Sequence, residues 1–252
     1  MRAPLLVVEN LRKTVDGLVA VDGVTINFQA AKVHAIIGPN GAGKTTLINL
    51  LSGDLPPSGG RITFKGHDLT DKPAFAISQL GIGRSYQKTN IFPEFTCSQN
   101  CWLGAQSRLS TSMRFFMPAM GYTEIRQRAE QALALCGLEQ HINTLASAIS
   151  YGEQRQLEIS MMLATEPELL LLDEPLGGMG TDETQNMIAL IKRLALEHTV
   201  ILIEHDMDAV FALADTLTVM VNGQVLATGT PDEIRNSQDV QDAYLGTGKD
   251  VE

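Results

Sequence analysis

Three cysteines in 252 residues, Cys97, Cys101 and Cys136, show no CxxC spacing and no companion histidines. They exclude a disulfide framework and a zinc site, and are expected to be reduced, partly buried thiols. No run of about 18 apolar residues occurs, which argues against a membrane span. The N-terminus also lacks a charged-then-apolar leader, so the sequence predicts a cytosolic chain. Positive charge is scarce: 19 Lys and Arg stand against 29 Asp and Glu, a formal charge of −10. That balance excludes a general nucleic-acid-binding surface, leaving room only for a local basic patch. Internal repeats and low-complexity tracts are absent as well. What remains is 44% hydrophobic and 19% charged. This composition predicts an ordered α/β domain, or a core with a subdomain, with ample buried volume.

The hydrophobic pattern divides the chain. Short β-like runs at Leu5–Val8, Val24–Phe28 and Val33–Ile37 are separated by turn residues at Asp16-Gly17 and Asp22-Gly23, as in antiparallel hairpins. A Pro-Pro-Ser-Gly-Gly turn at 56–60 leads to another alternating strand, Arg61–Gly66. From 88 to 165 the pattern turns helical, with helices expected at Thr96–Ala105, Thr123–Gly137 and Tyr151–Ala164. Residues 88–165 are therefore read as an inserted helical subdomain, and residues 1–87 and 166–252 as the core. Ser107–Gly121, with Met113, Phe115, Phe116, Met117 and Met120, is an adaptable apolar stretch suited either to docking or to filling a core. Beyond it, Leu169–Leu172 and Thr199–Ile203 are continuous apolar runs of the kind buried on both faces of a parallel sheet. Helices at Asp182–Glu197 and near Ala209–Ala214 alternate with them. Further β runs at Leu217–Val221 and Gln224–Ala227 and two short helices, Pro231–Ser237 and Asp239–Leu245, complete an α/β alternation.

Gly38-Pro39-Asn40-Gly41-Ala42-Gly43-Lys44-Thr45 fits G-x-x-x-x-G-K-[ST], and Thr46 continues it into a helix-like stretch. Glycines let successive N–H groups face inward, and the following helix adds its positive end. Lys44 supplies a point charge for β- and γ-phosphates, and the Thr45 hydroxyl can hold Mg²⁺. Taken alone this loop fits a kinase, a GTPase or a motor. Asp173 and Glu174 then end a buried strand at the sheet edge where ligands of open α/β sheets gather. Asp173 is the natural partner for Mg²⁺, and Glu174 can polarise an attacking water as general base. His205 follows the second buried strand, where it can sense a γ-phosphate or bond Glu174. Gln87 ends the Gly81–Tyr86 segment with a neutral amide able to coordinate Mg²⁺ or water. Ser150-Tyr-Gly-Glu153 reads as a capping box on a helix N-terminus, and a capped N-terminus with the nearby Gly152 is also an anion site. One phosphate cradle is already present, so a second suits a phosphate held by another molecule.

In this order the motifs resemble those of the ATP-binding subunits of ABC transporters, over nearly the whole chain. Gly38–Thr45 is similar to their Walker A loop, Gln87 to the Q-loop glutamine and Ile149–Glu153 to the LSGGQ-type motif. Leu169–Glu174 is similar to Walker B, and His205 to the switch histidine. The resemblance implies a P-loop NTPase core with a mostly parallel sheet, an antiparallel β part and an α-helical insertion. It also implies ATP and Mg²⁺ as ligands and a head-to-tail dimer. Each ATP is then sandwiched between one chain's loop and Ser150 and Gly152 of the other. A finer resemblance, to the subgroup serving branched-chain amino acid importers, rests on Ser150–Arg155, Leu157-Glu-Ile159, Gly178-Met-Gly180, Glu204-His-Asp-Met207, Ala243-Tyr-Leu-Gly246 and the long Ser107–Gly121 segment.

That subgroup implies two membrane permeases, an external substrate-binding protein and a place on the inner face of the cell membrane. Related members carry urea or other amides, and lipopolysaccharide-export ATPases share the Tyr-Leu-Gly ending. A soluble ABC ATPase would usually carry two cassettes or a long coiled-coil insertion, and neither is present. A GTPase or kinase leaves Ser150–Arg155 and His205 unexplained, and no Asn-Lys-x-Asp segment occurs. Three positions depart from the family pattern. Val15 stands where an adenine-stacking aromatic is common, Glu153 replaces the motif's glutamine, and Gly180 replaces the D-loop aspartate.

Overall fold

The computed structural model describes residues 3–108 and 123–246. Two sheets account for its strands. The first is antiparallel in order β2-β1-β4-β5, from β1 (Leu6–Val15), β2 (Leu18–Phe28), β4 (Gly59–Phe64) and β5 (His67–Asp68). The second has order β10-β9-β3-β8-β7-β6, from β3 (Val33–Ile37), β6 (Ile82–Arg84), β7 (Leu169–Asp173), β8 (Thr199–Ile203), β9 (Thr216–Val221) and β10 (Gln224–Gly229). All of its pairings are parallel except that of β10 with β9.

The helices are α1 (Lys44–Ser52), α2 (Ala74–Leu80), α3 (Cys97–Gln106), α4 (Thr123–Leu135), α5 (Tyr151–Leu163), α6 (Thr181–Leu194), α7 (Met207–Leu213), α8 (Pro231–Arg235) and α9 (Gln238–Gly246). No helix among the described residues is long and apolar enough to cross a membrane.

Every residue of β3, β7 and β8 is buried, because both faces of this sheet are covered. The period of two then sorts the side chains. Leu169, Leu171, Ile201 and Ile203 pack with α1 and the antiparallel sheet, whereas Leu170, Leu172, Val200 and Leu202 join the core of α3, α4, α5 and α6. Cys97, Cys101 and Cys136 all lie in that second core and are fully buried as free thiols, which corrects the expectation of partial burial. Burial pushes the Cys136 thiol up to about 12.

The first hairpin differs from the sequence reading. Asp16-Gly17 is its turn, but Asp22-Gly23 lies inside β2. Gly23, at φ 66°, is absorbed as a register irregularity between the Leu11–Val24 and Lys13–Val21 pairs, so two short runs fuse into long strands. β5 and α2 were not expected at all. The Ser107–Gly121 stretch lies outside the described residues from position 109 onward.

Register fixes the functional edge. Ile203 of β8 aligns with Ile36 of β3 on one side and with Asp173 of β7 on the other. Three chain segments, 38–46, 174–180 and 204–206, therefore leave the same edge of the sheet side by side.

Candidate functional site

The loop that follows β3 curls because its glycines adopt backbone angles closed to other residues. Gly43 has φ 94°, and a Cβ there would lie 2.3 Å from the Ala20 carbonyl oxygen. Gly38 has φ 152°, and its Cβ would meet the Met220 carbonyl oxygen at 2.1 Å. No side chain caps α1 at Gly43, so its first N–H groups stay available to an anion. Lys44 Nζ donates to the carbonyls of Gly38 (2.7 Å) and Pro39 (2.9 Å). Two of its three donors are thus spent in the loop, leaving one for a ligand. Burial lowers the Lys44 pKa, against the attraction of Glu174 and Asp173.

Asn40, Gly41, Ala42, Gly43, Lys44, Thr45 and Thr46 line a cavity of about 300 Å³ together with Ala20, Gln87 and Glu174. The structure thereby brings the glycine-rich loop, the neutral amide and the carboxylate to one place. Glu174 holds φ 51°, a left-handed conformation that costs a non-glycine residue about 1–2 kcal/mol. Its N–H is fixed to the Ile203 carbonyl of the neighbouring strand at 2.9 Å.

Asp173, the residue before Glu174 at the end of β7, is 1% exposed, and neither carboxylate oxygen has a hydrogen-bond partner. Burial raises its pKa; Arg84 opposes that rise and Glu174 adds to it. No cluster of three or more His, Cys, Asp or Glu able to hold a metal forms among the described residues. One orphaned carboxylate, adjacent in sequence to the Glu174 that shares a cavity with Thr45 and Gln87, fits a cation that takes its remaining ligands from phosphate and water, as Mg²⁺ does.

His205 is not brought into this cavity. It leaves β8 at the right edge, but its side chain is 72% exposed and its Nδ1 lies 3.8 Å from Glu204 Oε2. Sequence reading named Glu204 only within the Glu204-His-Asp-Met207 segment and gave it no role of its own. It is 1% exposed and accepts from the N–H groups of Leu176 (2.8 Å) and His205 (3.2 Å). Burial raises its pKa in spite of both bonds.

Ser150 forms the expected capping box: its Oγ accepts from Glu153 N, while its own N–H donates to Glu153 Oε2 at 2.7 Å. Glu153 Oε1 also meets His141 Nε2 at 3.1 Å. The Gly152 N–H donates to Glu183 Oε1 of α6 at 3.1 Å, and the same carboxylate accepts from Gly180 N. Ser150, Gly152, Glu153, Glu183 and neighbouring α6 residues line a second cavity of about 300 Å³. It lies apart from the first, sharing no residue with it.

Two further groups were missed. Arg84 is buried between α1 and Asp173. Arg155 and Glu158 on α5 bond the main chain at Tyr86 and Gln87. Their i, i+3 spacing was a readable signal for an ion pair but not for its burial. Val15 is 44% exposed and does not line the cavity.

A family model described as ABC transporter matches residues 21–177. Another, described as branched-chain amino acid ATP-binding cassette transporter, matches residues 224–250. The high-affinity branched-chain amino acid transport ATP-binding protein LivG of Salmonella typhimurium is 40% identical over 253 residues, covering 98% of this chain and 99% of that protein. BraF of Pseudomonas aeruginosa, of the same description, is 39% identical over 254 residues with the same coverage. Among solved structures, the ADP conformation of an ATP-binding cassette of an ABC transporter superposes with a TM-score of 0.86 at 30% identity, over 97% of this chain and 100% of that one. A nucleotide-free cassette gives 0.85 at 30% identity, over 96% and 98%. With motifs, sheet order and comparisons in agreement, the chain belongs to the ABC transporter family as one of its ATP-binding subunits.

Proposed function

We propose that the chain hydrolyses ATP to power an importer of branched-chain or closely related amino acids. The observation that carries the ATPase reading is the cavity in which the whole of 40–46 meets Gln87 and Glu174, the residue next to an orphaned, buried Asp173. The cargo reading is supported by relatives whose names state it and by the match at 224–250.

In this reading the free N–H groups of 38–46 and the remaining Lys44 donor bind the β- and γ-phosphates. Thr45, Gln87 and Asp173 would hold Mg²⁺, which when bound offsets phosphate charge. Gln87 orients a water and Glu174 takes its proton as the water oxygen bonds to the γ-phosphorus, releasing ADP and phosphate. Ser150 Oγ and Gly152 N–H serve the phosphate held by a second copy, so closure of two copies completes each site. His205 joins only when the γ-phosphate comes within its reach. Residues 88–165 act as the helical subdomain that meets two permeases, with 1–87 and 166–252 as the core. An external binding protein delivers cargo on the far side of the membrane.

The test uses the full chain. Glu174→Gln should keep MgATP binding while hydrolysis falls at least about 10²-fold, as for loss of a general base. Near-normal turnover in that variant rejects the assignment. Lys44→Ala should lose ATP retention, and unchanged binding overturns the cradle. Co-expressed with its permeases and binding protein, the chain should support ATP-dependent uptake of labelled leucine. Uptake of a urea-type amide alone would refute the cargo.

A further inference from the structure

Gln87 reaches the cavity from a loop that has little structure of its own, since β6 ends at Arg84. What holds the loop comes from α5. Arg155 and Glu158 face each other one turn apart with side chains 5% and 6% exposed, and Arg155 Nη1 donates to Glu158 Oε2 at 3.2 Å. The same Nη1 donates to the Tyr86 carbonyl at 2.7 Å, and Nη2 donates to the Gln87 carbonyl. Glu158 Oε1 accepts from the Tyr86 N–H at 3.0 Å. Three bonds therefore fasten the main chain at 86–87 to one buried pair.

Stability alone does not account for such a pair. A buried ion pair often does no better than apolar residues of the same volume, because both charges must be desolvated. Position along the helix is more telling. Gly152, which lines the second cavity, precedes Arg155 by three residues, about 4.5 Å along the axis of a rigid helix. A displacement of the α5 N-terminus is thus carried to the Gln87 main chain with no flexible segment between.

We propose that Arg155 and Glu158 are positioning residues that make Gln87 follow the N-terminus of α5. Phosphate of a second copy arriving at Ser150 and Gly152 then sets the Gln87 amide of the first. This rests on the two-copy reading above. The Arg155 fork is suited to the task, because its planar guanidinium can grip two successive carbonyls at once, as a lysine ammonium on a flexible stem cannot.

Hydrogen exchange read by mass spectrometry tests the clamp on the full chain carrying Glu174→Gln, with and without MgATP. In the parent, ATP should slow exchange at 38–46, at 150–157 and at 86–92. Arg155→Met with Glu158→Leu keeps apolar volume; it should retain the slowing at 38–46 and 150–157 and lose that at 86–92. With Glu174 restored, the paired variant should lose about 10-fold in kcat with KM for ATP within about two-fold, the signature of a lost transition-state interaction. Should the apolar pair not fold, Arg155→Lys supports the same comparison. Slowing at 86–92 equal to the parent's, or unchanged kcat, overturns the clamp alone. A parent that slows at 38–46 but not at 150–157 overturns the two-copy reading, and the clamp with it.

Discussion

Arg84→Met tests how Asp173 is kept in place. Arg84 Nη1 donates to Ser52 Oγ (2.7 Å) and Asp54 Oδ2 (2.5 Å), and Nη2 donates to Asn49 Oδ1 (2.5 Å). These three acceptors lie on the last turn of α1 and just beyond it. The same Nη2 stands 3.7 Å from Asp173 Oδ2, too far for a hydrogen bond but close for two charges, with the side chains 9% and 1% exposed. At that separation and an effective dielectric of about 20, the attraction is roughly 4.5 kcal/mol. Breaking a buried pair from one side costs about 3–5 kcal/mol, in agreement, because the remaining charge is stranded. For a chain of this size each kcal/mol moves the melting temperature by about 2–4 °C, so Arg84→Met should melt roughly 6–20 °C lower. The loss of Asp54, Ser52 and Asn49 contacts contributes too, and a double-mutant cycle separates it. Arg84→Met with Asp173→Leu strands no carboxylate at Asp173, so it should melt above Arg84→Met alone. Scanning calorimetry without nucleotide, in chelator, measures all four proteins. A single variant within about 3 °C of the parent would refute the argument. So would strict additivity of the two substitutions.

Three further expectations follow from the same geometry. Gly43→Ala places a methyl 2.3 Å from the Ala20 carbonyl oxygen at φ 94°, so nucleotide binding by fluorescence titration should weaken at least about tenfold; unchanged affinity would show that the loop has slack. Glu204 has a raised folded-state pKa, so the folded chain holds more protons than the unfolded one from the ordinary carboxylate range upward, and stability falls as pH rises through that window. Glu204→Gln removes this contribution, and denaturant unfolding against pH should lose part of its decline; an identical profile counts against burial as the cause. Glu183→Ala frees the Gly152 N–H, and ATP-driven dimerisation on a Glu174→Gln background should need about 3- to 10-fold less protein in sedimentation, the equivalent of one hydrogen bond. Weaker association would instead make Glu183 a builder of that site.

Much of the site was legible because its parts are local in sequence. A glycine loop after a buried strand, two carboxylates at a strand tip and a Ser-x-x-Glu cap each depend on a few consecutive residues, and each is found at its expected element. The apolar runs of β7 and β8 likewise announced a sheet covered on both faces. The less legible parts depend on distant packing. Arg84 occurs in a short alternating segment, and only the approach of α1 and β7 turns it into a buried cation. Arg155 and Glu158 have the spacing of an ordinary solvated pair on a helix; the loop at 86–87 is what buries them. In β2, a turn signal at Asp22-Gly23 lost to the pairing on either side, since a sheet absorbs one irregular residue more cheaply than it forgoes the flanking ladder.

The departures from the family pattern also acquire a physical reading once hydrogen bonds are assigned. Glu153 brings a carboxylate to the α5 N-terminus, where in the proposed two-copy arrangement like charge would repel an incoming phosphate. Its two oxygens, however, are committed to the Ser150 N–H and to His141, on the capping side of the helix. The Gly152 N–H is held by a different carboxylate, that of Glu183, which also ties down Gly180 at the start of α6. In the proposed two-copy arrangement, a phosphate reaching Gly152 would compete with Glu183 and not with the Glu153 cap. Displacing Glu183 from Gly152 frees one bond at the start of α6, the segment that follows Glu174. The glycine at 180 makes such a rearrangement easy, because it offers no side chain that must also be moved. The α5 N-terminus and the segment that follows Glu174 are in this way connected inside one chain through the Glu183 carboxylate, which in the proposed arrangement a phosphate would replace at Gly152.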